Sequence, residues 1–379
     1  MTGVDRFLDK RVIAYFISPH GFGHASRSAS VMEALYGLEP DIRFEIFTSL
    51  PCWFFEESVP CDFGFHPLVT DIGLIQASSL EEDISETVHS LERFLPFHGT
   101  VIKDFANQLK RLGCCMVVCD IAPLGIAVAA DAAVPSVLVE NFTWDWIYQG
   151  YAGQNGGLTD HIKYLEKIFR LADYHIQAEP VCCPSGADLT VSPMIRRTRS
   201  TSGDVRERLG LTVDEKAVLI TMGGIPEQYP FLNRLGEIEE ICFIISGLSE
   251  KQETAKNLRL LPYNSGIFHP DLLNACDAVI GKLGYSTLAE VYHAGLPYGY
   301  ISRNNFPESK TLISFTEQNI NGIAIQSNSF LDGEWISALP DLLSMGRIKR
   351  QGSNGAEQAA KFIINRILGE VKSVVPRIF

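Results

Sequence analysis

The sequence predicts an α/β protein of two doubly wound domains facing a cleft. Three observations carry that expectation. Short β-branched runs alternate with amphipathic stretches in both halves of the chain, a proline- and serine-rich break separates the halves, and each half holds a glycine-rich turn directly after an apolar run. At 379 residues the chain is also too long for one compact core and fits two domains.

The elements follow in order. Val12 to Ile17 is a short run of β-branched and aromatic residues, expected as a buried parallel strand. It enters the turn Pro19-His20-Gly21-Phe22-Gly23-His24. A helix should follow, because Ala25, Ala29, Met32 and Tyr36 fall on one face. Further strands are expected at Phe44 to Thr48, Cys115 to Cys119 and Ser136 to Glu140, with helices at Leu91 to Leu112 and Leu124 to Ala133. Around Pro180 to Ser202 periodicity stops. Prolines, serines and Arg196, Arg197 and Arg199 read there as a solvated linker, placed at 196–205. Alternation resumes with strands at Ala217 to Thr221, Cys242 to Ser246, Ala278 to Ile280 and Pro297 to Ile301. Helices are expected at Leu272 to Cys276, Ser286 to Ala294, Thr311 to Asn321 and Ala356 to Leu368. The expected domains are therefore 1–195 and 206–355, both Rossmann-like. The last helix and tail, 356–379, pack back on the first.

Composition narrows the function classes. A formal charge of −13 disfavours a general nucleic-acid surface, since binding phosphate backbones needs Lys and Arg in quantity. No apolar run reaches the roughly 18 residues of a spanning helix, which leaves peripheral membrane contact open. Asp5, Asp9, Lys10 and Arg11 stand where a secretory signal would be apolar, so a cytoplasmic location is expected. The nine cysteines include no C-x-x-C pair and no Asp-x-Asp occurs, so neither a metal site nor a cofactor is expected.

Two turns carry the chemistry. Gly281-Lys282-Leu283-Gly284-Tyr285-Ser286-Thr287-Leu288-Ala289-Glu290 follows the run Ala278-Val279-Ile280. A strand, a small-residue turn and a helix start present free backbone N–H groups to an anion. Gly284 permits close approach of a ligand. Ser286 and Thr287 can cap the helix or donate to phosphate, Lys282 adds a cation, and Glu290 can accept from a ribose diol. An ordinary strand-to-helix connection is the alternative reading. The second turn, Gly21-x-Gly23, lacks a third glycine where Ser26 stands, yet two histidines flank it, for which a dinucleotide fingerprint has no need.

These residues resemble a known family. Gly284-Tyr285-Ser286-Thr287-Leu288-Ala289-Glu290 is similar to the Gly-Trp-Asn-Ser-x-x-Glu core of the plant secondary-product box in GT-B glycosyltransferases. A bacterial lipid-II-forming N-acetylglucosaminyltransferase has a similar segment. The resemblance implies GT-B architecture, with Lys282 at the place of a phosphate-binding histidine and Glu290 at the ribose-binding glutamate. Gly223 and Gly224, in Met222-Gly223-Gly224, match the turn that faces the diphosphate. Glu308 lies near the acidic residue that contacts sugar hydroxyls, with Ser309 where the family has glutamine. A narrower resemblance covers most of the chain. His20 to Arg27, Asn141 to Tyr148 and Gly281 to Tyr285 look like the glycosyltransferase-like N-terminal region of plant L-arabinokinases and stand-alone bacterial relatives. The kinases' phosphotransfer ATP loop has no counterpart here.

The resemblance places His24 as the base that takes the acceptor proton and Asp120 as the carboxylate that orients it. A His24 that merely caps or packs the turn is the alternative, and His20 is the rival within the same loop. Arg27 binds an acidic acceptor or faces solvent. Trp144, Asp145 and Trp146 form either an acceptor wall or interdomain packing. With Lys282 supplying the positive charge, the implied reaction is a metal-independent, inverting transfer from a nucleoside diphosphate sugar, UDP foremost, to a hydroxyl acceptor. Two other readings stand beside it: a nucleotide-sugar epimerase or hydrolase on the same fold, and a non-catalytic nucleotide-sugar-binding module.

Overall fold

A computed structural model describes residues 11–78, 80–212, 214–223, 229–350 and 352–369. They form two compact units. The first takes residues up to 75, 83–194 and those from 353; the second takes 76–82 and 195–352.

The first unit is a seven-stranded sheet of β1 (Arg11–Ile17), β2 (Ile42–Thr48), β3 (Phe63–Pro67), β4 (Cys114–Asp120), β5 (Ser136–Glu140), β6 (Tyr174–Ala178) and β7 (Leu189–Val191), in the order β3-β2-β1-β4-β5-β6-β7. Every neighbouring pair is parallel. The order reverses direction between β1 and β4, the topological switch point of a doubly wound fold. Ile13 to Ile17 are at most 1% exposed, which explains the unbroken apolar run: helices cover both faces of a parallel sheet. The expected helix Leu91 to Leu112 is two helices, Ile84–Phe94 and Gly99–Leu112. Pro96 interrupts them, since it lacks an N–H and restricts the residue before it. The C-terminal helix Gly355–Phe362 packs on the helix Phe22–Leu38 of this unit. Residues 370–379 of the expected tail lie outside the described residues.

The second unit contains β8 (Lys216–Thr221), β9 (Ile241–Ser246), β10 (Glu253–Ala255), β11 (Leu258–Leu261), β12 (Ala278–Lys282), β13 (Tyr298–Ile301) and β14 (Gly322–Ala324), ordered β10-β11-β9-β8-β12-β13-β14. Only β10 is antiparallel to its neighbour. The switch point lies between β8 and β12. Alternation along β8 sends Ala217 and Leu219 into one core and Val218 and Ile220 into another, as a pleat of period two requires.

Two stretches depart from the expected boundaries. The segment 76–82 belongs to the second unit, where Leu80 packs against the core of Val218 and Ile220 and Glu82 accepts from Arg303 at 3.1 Å. The stretch expected as a linker, 196–205, is also folded onto that unit. Arg196 is 3% exposed, Asp271 accepts from the backbone N–H groups of Arg199 and Ser200, and Thr201 forms a capping box with Asp204 on the helix Ser202–Arg208. Low periodicity misled the reading, because a polar stretch can be held by buried acceptors as firmly as an apolar one by packing.

Candidate functional site

The functional candidates gather at the two switch points. In the first unit Ile17 and Asp120 are register partners at the carboxyl ends of β1 and β4. The chain leaves β1 through Ser18, whose N–H donates to the Asp120 carbonyl, and starts the helix Phe22–Leu38 at Gly21. Gly21 has φ 82°, a left-handed backbone that costs a side chain strain. Gly23 falls in the first turn of that helix. His24 follows, 7% exposed, with Nδ1 2.8 Å from Asp120 Oδ1.

Arg27 is placed otherwise than expected. It does not face solvent, being 1% exposed. Its Nε donates to Asp120 Oδ2 at 2.8 Å, one terminal nitrogen donates to Asp120 Oδ1 at 2.6 Å, and the other to Asn141 Oδ1 at 2.6 Å. Ser28 Oγ donates to Asp120 Oδ2 at 3.3 Å. One helical turn thus supplies the histidine, the guanidinium and the hydroxyl that surround one carboxylate. Burial is the largest influence on Asp120 and pushes its carboxyl up. The Arg27 charge and the His24 hydrogen bond outweigh it, and Asp120 ends below its ordinary value.

Trp144 is fully buried and cannot offer a face to a sugar ring. It packs within this unit, edge-on to His20 at 5.0 Å, stacked on Tyr148 at 5.8 Å and 6.4 Å from the His24 ring. Asp145, beside it in the first turn of the helix Trp144–Tyr151, is half-buried, and burial raises its carboxyl. His20 lies against the loop at Gly73, with Nδ1 accepting from the Leu74 N–H at 3.4 Å. Asp71 was not anticipated. It is 3% exposed and accepts from Ser18 Oγ at 3.0 Å; burial, opposed by hydrogen bonds such as that one, raises it to about 8. It stands in the aperiodic stretch Val69-Thr70-Asp71, where no sequence pattern marks it.

In the second unit Gly223 follows β8 and Lys282 ends β12. Gly223 has φ 75°, and a Cβ built there would lie 3.0 Å from Lys282 Cε and 3.3 Å from Nζ. The lysine therefore crosses the glycine turn, which brings two of the candidates together. Gly224 lies outside the described residues. Gly284 is the N-cap of the helix Tyr285–Ala294, with open space where a side chain would be. Ser286 and Thr287 fall in the first turn, past the capping position, and that turn has no side-chain cap. Tyr285 is buried, and so is Glu308 at the start of the helix Glu308–Asn319.

Glu290 is 4% exposed, and both its oxygens are engaged. Arg196 donates to Oε1 at 3.3 Å, and His269 Nδ1 lies 2.8 Å from Oε2. Burial pushes the carboxyl up, and His269 and Arg196 together bring it below its ordinary value. Arg196 and Arg199 lie over the Phe268 ring at 4.8 and 4.2 Å. A ribose diol reaching Glu290 has to share the carboxylate with Arg196 or His269, or displace one of them.

Comparison with known structures bears on the fold. The calicheamicin glycosyltransferase CalG4 superposes with a TM-score of 0.58 at 13% identity, over 98% of this chain and 100% of that one. A UDP-glucosyltransferase from Polygonum tinctorium gives 0.58 at 13%, over 96% and 98%. MurG of Acinetobacter baumannii gives 0.54 at 13%, over 94% and 99%. The chain has the GT-B fold. In sequence it is similar to L-arabinokinase of Arabidopsis thaliana, 27% identical over an alignment of 383 positions, gaps included, that covers 97% of this chain but 35% of the kinase. No family model matches it. No helix among the described residues is long and apolar enough to cross a membrane.

Proposed function

We propose that this chain transfers a sugar from a nucleoside diphosphate donor, a UDP-sugar foremost, to a hydroxyl acceptor by one inverting displacement that needs no metal. The observation that carries the reading is the His24–Asp120 pair at the switch point of the first unit. An ionised carboxylate only accepts, so Nδ1 bears a hydrogen, and the neutral imidazole in that tautomer has its lone pair on Nε2. His24 Nε2 takes the acceptor proton as the acceptor oxygen bonds to the anomeric carbon. The bond from that carbon to the diphosphate breaks, and its electron pair leaves with the phosphate oxygen. Lys282 and the uncapped first turn at Gly284 offset that charge, as a metal ion does in other transferases. Attack opposite the leaving group inverts the anomeric centre. UDP is put first because one superposable structure is a UDP-glucosyltransferase.

Turnover of a panel of UDP-, GDP- and dTDP-sugars against hydroxyl acceptors tests this, with the anomeric configuration of the product read by NMR. His24→Ala should lose about 10²-fold or more in rate and leave nucleotide affinity unchanged. A second reading, a nucleotide-sugar-binding module, is favoured by a match that spans only 35% of a larger kinase. Nucleotide binding with no turnover on any acceptor, and no product from donor alone, would select it.

A further inference from the structure

Arg27 has more to do than fill space. Resting on the reading of His24 as base, we propose that Arg27 is a positioning residue that keeps the His24 imidazole neutral, with its hydrogen on Nδ1 and Nε2 open to the acceptor. A buried carboxylate facing a histidine with no other cation would favour the imidazolium, and an imidazolium has no lone pair with which to take a proton. Here the carboxylate is already matched. Arg27 donates to both oxygens of Asp120 at 2.8 and 2.6 Å, so Arg27, Asp120 and a neutral His24 together carry no net charge.

The same contacts fix the tautomer. A terminal nitrogen of Arg27 lies 3.3 Å from His24 Nδ1, but a guanidinium only donates. Because Nδ1 spends its hydrogen on Asp120 Oδ1 at 2.8 Å, the 3.3 Å approach is a contact between two donors that share one acceptor oxygen. It places a permanent positive charge against the ring and disfavours a second one. Asn141, accepting at 2.6 Å, holds the other terminal nitrogen and fixes the plane of the guanidinium.

Three other groups facing the cluster are held in their uncharged forms by burial. Asp71 is held up by burial and retains its proton over much of the neutral range, and Tyr15 and Cys119 are both raised by burial first and by Asp120 second. His20 is engaged by the Leu74 N–H. Proton uptake by His24 therefore takes the cluster from neutral to positive, a state suited to the instant of transfer and not to rest.

Histidine ring NMR on the full chain reads this without any substrate, and so is independent of whether sugar transfer is later observed. The His24 signals are identified by their loss in His24→Gln. At pH 7 the wild type should show Nδ1 protonated and Nε2 bare. In Arg27→Gln the His24 titration should move to higher pH, with the imidazolium populated where the wild type is neutral; Arg27→Lys should stay near the wild type. An unmoved His24 titration in a folded Arg27→Gln would overturn the proposal. Should that variant not fold, a wild-type ring protonated on Nε2, or on both nitrogens, at pH 7 would overturn it equally.

Discussion

Asp120→Asn is the most informative single substitution in the first unit. It keeps the shape of the side chain and removes its charge, leaving the Arg27 guanidinium, 1% exposed, with Asn141 and an amide as partners. Breaking a buried ion pair from one side costs about 3–5 kcal/mol, because the remaining charge has lost both water and its counter-ion. Against the roughly 5–15 kcal/mol that holds a typical domain folded, the loss should be plain in urea unfolding. Tryptophan fluorescence is a suitable probe, since Trp53, Trp144 and Trp146 belong to the first unit and Trp335 to the second. Adding Arg27→Met to Asp120→Asn should recover most of the loss, because no orphaned charge then remains. Two results would refute the reasoning: a single variant within about 1 kcal/mol of the wild type, or a double variant no more stable than the single.

Three further outcomes are expected. Glu290 has its folded-state value depressed, so its contribution is present above the ordinary carboxylate range and lost as pH falls below it. Arg196→Met should flatten that acid limb and lower stability at pH 7 by about 3 kcal/mol in urea melts. Asp71 is raised to about 8, so the folded chain binds a proton the unfolded chain has released, and stability falls as pH rises from about 4 toward 8. Asp71→Asn should remove that slope in melting temperatures taken across the range. In the second unit Glu82→Gln leaves Arg303, 7% exposed, without its carboxylate, and should lower the melting temperature of the transition reported by Trp335.

The strands at the switch points were legible because parallel strands covered on both faces need unbroken apolar runs. Ser136–Glu140 was placed at its observed ends, and Phe44 to Thr48, Ala217 to Thr221 and Cys242 to Ser246 to within two residues. The edge strands β3, β7, β10 and β14 were missed, and so were their neighbours β6 and β11. Gly64, His66 and Pro67 in β3 follow no buried pattern, and β10 is exposed throughout. The resemblance, and no local pattern, paired His24 with Asp120 across 96 residues, and the structure brings those two side chains together. Outside the resemblance, long-range pairing could not be read. Arg27 meets Asp120 across 93 residues and Arg196 meets Glu290 across 94, and nothing in either neighbourhood distinguishes a buried guanidinium from a solvated one. The tryptophan at 144 failed for a related reason: an aromatic beside polar residues suggests a binding wall until burial shows it to be core.

The most direct measurement is calorimetric titration of UDP, GDP and dTDP into the wild type and Lys282→Ala. The account predicts micromolar binding of one nucleotide, weakened about tenfold by the substitution, or about 1.4 kcal/mol for one charge-assisted contact. No binding of any of the three would contradict the assignment of the second unit as a nucleotide-sugar site, and with it the proposed transfer.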